Sequence, residues 1–378
     1  MQGQISRYLK STILQKIGKN KAILLFGTRR VGKTWLIEQI TAEAKIEYLF
    51  LNGEDQDIQT LLAVRTAANY KRILGKSKLL VIDEAQVIPE IGKILKLLID
   101  SFKDLTIIAS GSSAFDLSNQ TGEPFTGRSI TYYLYPIAQL ELAQNENGLQ
   151  TAQNLEERLI FGSYPEIFQL ETLAEKAQYL TELVKSYLLK DILIYENIQN
   201  SSKLFDLLKL IALQIGSEVS IDELSRSLGI SKNTVDRYLD LLSKVFIIYK
   251  VSGYSNNLRK EVTKSSKWYF YDNGIRNAII NDFRLLPIRN DQGLLWENYG
   301  FSERIKKTSY EQQVAHYYFW RTYDHQEIDL IETKNGEMAA IDFKWGNQKK
   351  KIPGFFAKNY PDASFSVINK ENYLDFIL

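Results

Sequence analysis

The residues Gly27-Thr28-Arg29-Arg30-Val31-Gly32-Lys33-Thr34 satisfy the pattern G-x-x-x-x-G-K-[ST], the Walker A spacing. A loop of this kind folds its backbone N–H groups inward around phosphate oxygens, along a path that side chains would obstruct. Lys33 can reach the terminal phosphates as a point charge, and Thr34 can offer a hydroxyl to Mg²⁺. The apolar run AILLF over 22–26 precedes the loop and a helical pattern over 33–44 follows it. That helix aims its positive end at the anion.

A second cluster, Leu79-Leu80-Val81-Ile82-Asp83-Glu84, is an apolar strand ending in two carboxylates, the Walker B form. At the C-terminal edge of a parallel sheet, Asp83 would face the Mg²⁺ held by Thr34, and Glu84 would polarise a water attacking the terminal phosphoryl group. A third run, 106–109, ends in Ser110-Gly111-Ser112-Ser113. Ser110 either senses the terminal phosphate or belongs to ordinary turn chemistry. Arg128, in Thr126-Gly127-Arg128, is a candidate charge-neutralising arginine, acting in cis or from a neighbouring subunit of a homo-oligomer.

These groups need a frame. Strands at 22–26, 47–51, 79–82 and 106–109 alternate with helical patterns at 33–44, 57–74 and 90–102, which predicts a parallel, doubly wound sheet. The polar stretch 116–128 reads as a loop. From 155 to 213 the pattern is mainly helical, with 174–190 its clearest segment. The stretch 268–378 is mixed, with strands at 317–320, 328–331, 339–343 and 364–368 and a helix at 293–309. The expected domains are 1–150, 151–265 and 266–378.

Between them, Ser220-Ile221-Asp222-Glu223 fits a capping box and Leu228-Gly229-Ile230 ends the helix it starts. Ser231 caps a second helix over 232–244, with Val235, Leu239, Leu242 and Val245 on its apolar stripe. This helix-turn-helix presents Lys232, Asn233, Thr234 and Arg237, residue types that bond to phosphates or base edges. A hairpin over 246–271, carrying Arg259, Lys260, Lys264 and Lys267, would make it a winged helix. Such a module reads DNA or serves as a rigid protein dock, and Asp236 and Asp240 dilute its positive charge.

Together these residues resemble the AAA-like, archaeal-type P-loop ATPases that carry a C-terminal domain of unknown function. The shared marks are the phosphate loop, Asp83-Glu84-Ala85-Gln86, Ser110-Gly111-Ser112, Gly127-Arg128, Tyr135-Pro136-Ile137, Gly162-Ser163-Tyr164-Pro165-Glu166 and Lys190-Asp191-Ile192. Ser110 stands where that group usually has threonine, which keeps a hydroxyl. The resemblance spans nearly the whole chain. It implies ATP and Mg²⁺ as ligands, with Gly27 to Thr34, Asp83 and Ser110 binding, and Lys33, Glu84 and Arg128 acting in hydrolysis.

Glu327-Ile328-Asp329-Leu330-Ile331 and Ile341-Asp342-Phe343-Lys344 resemble the restriction-endonuclease-like PD-(D/E)xK fold. Alternation puts Asp342 and Lys344 on one face of a strand. Asp329 and Asp342 would hold Mg²⁺ and Lys344 would steady an attacking hydroxide. Glu297, in Leu295-Trp296-Glu297-Asn298, matches the helical glutamate of that fold, and Asp342 stands where glutamate is frequent. Such domains cut DNA, or bind it without cutting. The run Gln348-Lys349-Lys350-Lys351 attracts phosphate backbone or is a solvated turn.

Composition bounds these readings. Across 378 residues, 47 Lys and Arg face 45 Asp and Glu, so a DNA surface must come from local clustering of charge. The absence of cysteine excludes disulfides, thiolate zinc and a cysteine nucleophile. With only His316 and His325, a three-histidine metal centre is excluded as well. No apolar run approaches the ~20 residues needed to cross a bilayer, and nothing resembles an export signal, so a cytoplasmic address without membrane contact is expected.

The fold expected is α/β: an N-terminal P-loop NTPase parallel sheet with flanking helices, a helical and winged-helix middle segment, and a C-terminal restriction-endonuclease-like domain. The expected function is ATP binding and hydrolysis, with the later domains contacting DNA. The alternatives are a nucleotide-dependent DNA-binding regulator with negligible turnover, and an ATP-controlled, metal-dependent nuclease.

Overall fold

Short apolar runs become strands in both halves of the chain. The computed structural model describes residues 5–112, 125, 127–185, 201–255 and 266–378. They fall into two units, Gln4–Tyr135 and Pro136–Leu378.

In the first unit, β1 (Ala22–Phe26), β2 (Tyr48–Asn52), β3 (Leu79–Asp83), β4 (Thr106–Gly111) and β5 (Ser129–Tyr133) form a sheet in the order β2-β3-β4-β1-β5. Every neighbouring pair is parallel. β1, β3 and β4 are buried throughout, as unbroken apolar runs covered on both faces should be. The parallel order brings all the carboxyl ends to one edge, and β4 stands between the phosphate-loop strand and the acidic strand.

Two local features differ from expectation. β5 had no counterpart among the expected strands, because SITYY is an edge strand with only partial burial and no continuous apolar run. The single helix expected over 57–74 is two, Gln56–Ala63 and Ala67–Leu74. The break is set by Thr66, which is extended and accepts a hydrogen bond from Asn69 N, so it caps a new helix.

In the second unit, the helices Gly148–Phe161, Leu173–Leu183 and Ser201–Leu213 lead to Ile221–Leu228. Ser220 caps this last helix by accepting from Glu223 N, and Gly229 ends it in the left-handed region at φ 64°. Ser231 caps Lys232–Lys244 in the same way through Thr234 N, and Val235, Leu239 and Leu242 of that helix are buried.

The strands β6 (Glu218–Val219), β7 (Ile248–Gly253), β8 (Ser266–Phe270), β9 (Ala315–Arg321), β10 (Glu327–Lys334), β11 (Glu337–Phe343) and β12 (Ser364–Ile368) form one sheet. Their order is β12-β11-β10-β9-β7-β8-β6. β7 and β8 are antiparallel, and β7 also pairs in parallel with β9 through Ser252 and Gly253. The strands following the helix-turn-helix and the C-terminal strands are therefore continuous. The helix Gln292–Tyr310 lies so close to β11 that a Cβ at Gly300 would come 2.5 Å from the Phe343 ring.

The Gly162-Ser163 element is a joint in this unit. Ser163 N and Ile275 N both donate to the buried Asp272 carboxylate, at 2.7 and 3.1 Å. A Cβ at Gly162, where φ is +68°, would lie 2.0 Å from Asp272 Oδ1, so no side chain fits there. Asn277 adds bonds from Nδ2 to the carbonyls of Leu159 and Ile160. Burial raises the Asp272 carboxyl pKa, against the pull of Lys306 and three backbone N–H groups.

Lys190-Asp191-Ile192, Arg259, Lys260, Lys264, Ser113 and most of the 116–128 loop lie outside the described residues. Among the described residues, no helix is long and apolar enough to cross a membrane.

Candidate functional site

The phosphate loop leaves β1 under tight steric control. A Cβ at Gly27 would lie 2.2 Å from Leu134 O, and Gly32 adopts φ +91° as it opens the helix Lys33–Ala44. Both positions demand glycine, for contact and for conformation respectively. Arg30 also takes a left-handed φ of 65°. Lys33 is buried, and its Nζ donates to Gly27 O at 2.9 Å and Thr28 O at 3.1 Å across the mouth of the loop.

The acidic strand meets this loop through hydroxyls. Thr34 Oγ1 donates to Asp83 Oδ2 at 2.7 Å. Ser110 Oγ, from the intervening β4, donates to Asp83 Oδ1 and accepts from Glu84 N at 3.2 Å. Thr34, Asp83 and Ser110 are thus joined directly, while Lys33 bonds within the loop. A hydroxyl and a carboxylate are hard oxygen donors of the kind Mg²⁺ takes, so Thr34 and Asp83 fit the ion.

Glu84 follows β3 in the left-handed region at φ 50°. Gly53 N donates to Asp83 O at 2.8 Å, and a Cβ at Gly53 would lie 2.4 Å from Glu84 O. The end of β2 therefore closes over the acidic turn.

Sequence reasoning gave Gln86 no role beyond its place in a motif. It is 4% exposed, and its Nε2 donates to Glu84 Oε2 at 2.6 Å and to Ser112 Oγ at 3.3 Å. Its Oε1 is buried without a partner among the described residues and faces Gly111, where a Cβ would approach to 2.9 Å. The glycine of Ser110-Gly111-Ser112 makes room for the amide that orients Glu84. An amide two residues beyond the acid was the only sequence signal for this.

The arginines are placed differently. Ala22 N donates to Arg128 O, which sets Arg128 at the amino edge of the sheet, beside the start of β1. The length of β1, about 16 Å, separates it from the loop. Its Nε donates to Asp100 Oδ1 at 2.6 Å. The structure therefore does not bring Arg128 to the phosphate loop in cis, and only a neighbouring subunit's copy could serve there. Arg29 Nη2 lies 4.0 Å from Glu54 Oε1.

In the second unit, Glu297, Asp329, Asp342 and Lys344 do converge. Asp329 Oδ2 accepts from Phe343 N at 2.8 Å and lies 4.0 Å from Lys344 Nζ, one residue past β11. Asp342 Oδ1 accepts from Lys350 Nζ at 2.8 Å, and Lys350 also donates to Glu327 O. Asp342 Oδ2 is buried without a partner among the described residues. Burial and the neighbouring Asp329 push the Asp342 carboxyl up to about 6. Burial and Asp329 likewise push Glu297 up to about 7.

Glu297 is committed elsewhere. Its Oε1 accepts from Tyr269 Oη at 2.6 Å and lies 3.9 Å from Lys267 Nζ. Lys267 also pairs with Glu327 Oε1 at 2.5 Å. Lys267 was expected on an exposed wing, yet it is 3% exposed. β8 is an interior strand between β7 and β6, and its lysine turns onto carboxylates instead of solvent. Lys350, read as attracting phosphate backbone or as part of a solvated turn, bonds to Asp342. The orphaned Asp342 oxygen suits a hard cation, whereas Glu297 is turned to Lys267. Among the described residues, no group of three or more His, Asp or Glu is arranged to hold a metal ion.

Residues 19–143 match a family model described as an AAA domain. Residues 152–285 and 292–374 match two models described as domains of unknown function, DUF8612 and DUF4143. An uncharacterized protein of Mycobacterium tuberculosis is 26% identical over 326 residues, covering 85% of this chain and 70% of that protein. One of Methanocaldococcus jannaschii is 24% identical over 356 residues, covering 89% and 78%. One of Haemophilus influenzae is 25% identical over 343 residues, covering 84% and 81%.

Among solved structures, the Walker-type ATPase PABY2304 of Pyrococcus abyssi is similar at 16% identity and a TM-score of 0.46, covering 73% of this chain and 96% of that one. The RuvB Holliday junction branch migration motor of Thermotoga maritima is similar at 16% identity and a TM-score of 0.32, covering 65% and 89%. Residues 19–143 thus match an AAA domain, and the parallel five-stranded sheet with its phosphate loop gives the amino-terminal unit a P-loop fold.

Proposed function

We propose that the protein binds ATP with Mg²⁺ and hydrolyses it, and that the second unit contacts DNA under control of that cycle. The observation carrying the first part is the bond from Thr34 Oγ1 to Asp83 Oδ2 beside a loop whose lysine lies across its mouth. In this reading Lys33 exchanges the carbonyls of Gly27 and Thr28 for the β- and γ-phosphates, while loop N–H groups hold their oxygens. Thr34 and Asp83 would hold Mg²⁺, which when bound neutralises phosphate charge. Glu84 takes a proton from the attacking water, oriented by Gln86 and by Ser110 beneath its backbone.

Contact with DNA is supported by Lys232, Asn233 and Arg237, which are exposed at the start of a capped helix. ATP turnover measured with and without single- and double-stranded DNA tests both parts. Turnover stimulated by DNA, and reduced about 10²–10⁴-fold in Glu84→Gln, is expected. Turnover equal in Glu84→Gln and wild type would remove Glu84 from the chemistry. Retention of DNA by a charge-reversed Arg237 variant would remove the helix from recognition.

A second reading, metal-dependent DNA cleavage, is favoured by one observation, the orphaned Asp342 Oδ2 beside Asp329. There Asp329 and Asp342 would hold the ion and Lys344 would steady the nucleophile. Plasmid incubated with Mg²⁺ or Mn²⁺ should be lost with wild type and spared with Asp342→Ala; equal loss rejects it.

A further inference from the structure

Arg7 lies ahead of the helix Leu9–Leu14 and outside every motif the sequence singled out. Its side chain is 3% exposed. The guanidinium donates from Nη1 to Val31 O at 2.6 Å and from Nη2 to Tyr135 O at 2.6 Å. Val31 is the loop residue directly before Gly32. Tyr135 belongs to a stretch already fastened to the sheet, since Leu134 N donates to Phe26 O at 2.7 Å.

The geometry of one peptide links Arg7 to the ligand. A trans peptide is planar, so the N–H of one residue points opposite to the C=O of the residue before it. Holding the Val31 carbonyl on the guanidinium therefore turns the Gly32 N–H away from Arg7. Gly32 sits at φ +91°, where glycine's freedom would otherwise let this peptide rotate. A planar fork delivering two charge-assisted bonds fixes the loop against Tyr135 more firmly than a single flexible ammonium can.

We propose that Arg7 is a positioning residue for phosphate binding, holding the Val31–Gly32 peptide so that the Gly32 N–H faces the nucleotide phosphates. The proposal rests on the nucleotide reading above and extends it to a residue 24 positions from its loop partner.

The test compares Arg7→Lys and Arg7→Gln with wild type, using ATP and ADP as ligands and adenosine as a competitor. Both variants keep donors at the position, so either one that folds suffices. Losing one charge-assisted bond should raise the Kd for ATP and ADP and the KM for ATP about tenfold. Adenosine affinity should stay within about twofold and kcat within about threefold. Arg7→Lys should be milder than Arg7→Gln. Unchanged ATP and ADP affinity in a folded variant overturns the proposal. So does an equal loss for adenosine, which would mark a general structural role. Failure of wild type itself to bind ATP would instead sink the nucleotide reading.

Discussion

The phosphate-loop site and the carboxylate–lysine centre of the second unit both gather acids and lysines at strand ends, yet they hold their acids by different means. Asp83 and Glu84 are held by neutral donors: the hydroxyls of Thr34 and Ser110 and the amide of Gln86. Such donors fix orientation and leave the negative charge in place for a metal ion and a water proton. Glu327 and Asp342 meet the ammonium groups of Lys267 and Lys350. There the charge is cancelled largely from within. A centre that spends its cations on its own carboxylates has less left with which to attract an ion.

The comparison can be broken at Lys267. Replacing it with methionine leaves Glu297 and Glu327 facing each other without their cation, a change that costs about 3 kcal/mol where a buried pair is broken. Denaturant unfolding of Lys267→Met should show a loss of that order, partly recovered by millimolar Mg²⁺ or Mn²⁺ as Glu297 becomes available beside Asp329. A folded variant with unchanged stability and no metal response would mean that Lys267 does not compensate this centre.

Gln86 sharpens the other side of the comparison. Gln86→Leu removes the amide bond to Glu84 while keeping bulk, so kcat should fall about tenfold with KM for ATP little changed. A rise in KM with constant kcat would place Gln86 in binding instead.

The smallest effect is expected where guanidinium groups do the compensating. Burial works against the Asp291 carboxylate, but Arg289 and Arg276 outweigh it and hold its pKa at about 2, below the ordinary aspartate value. A depressed carboxylate stabilises the fold at neutral pH, and that contribution fades as pH falls from about 4 towards about 2. After allowance for solvent screening it is worth about 1 kcal/mol. The pH-dependent part of the loss in Asp291→Asn should therefore be about this amount at pH 7 and vanish as pH falls through about 2. Parallel curves across that range would contradict the assignment.

The two regions also differ in how far the sequence reveals them. The phosphate site is built from consecutive residues at the ends of apolar runs, so Lys33, Thr34 and Asp83 could be read from local pattern, while pattern left Ser110 between phosphate sensing and turn chemistry. What pattern could not give was side-chain traffic between distant segments. Arg7 finds partners 24 and 128 residues away, and Gln86 owes its orientation to Ser112 and the gap at Gly111. Lys267 misled for the same reason: a lysine in a strand reads as exposed until the strands on either side are known. β5 escaped notice because an edge strand needs no unbroken apolar run. Thr66 split a helix whose periodicity runs on without a glycine or proline.

Calorimetric titration of wild type and Lys33→Ala with a non-hydrolysable ATP analogue and Mg²⁺ tests the central claim most directly. The account predicts saturable binding at one site per chain in wild type and a loss of at least about a hundredfold in the variant, the scale of removing a main charged donor to phosphate. Equal affinity in the two proteins, or no binding by wild type, would contradict it.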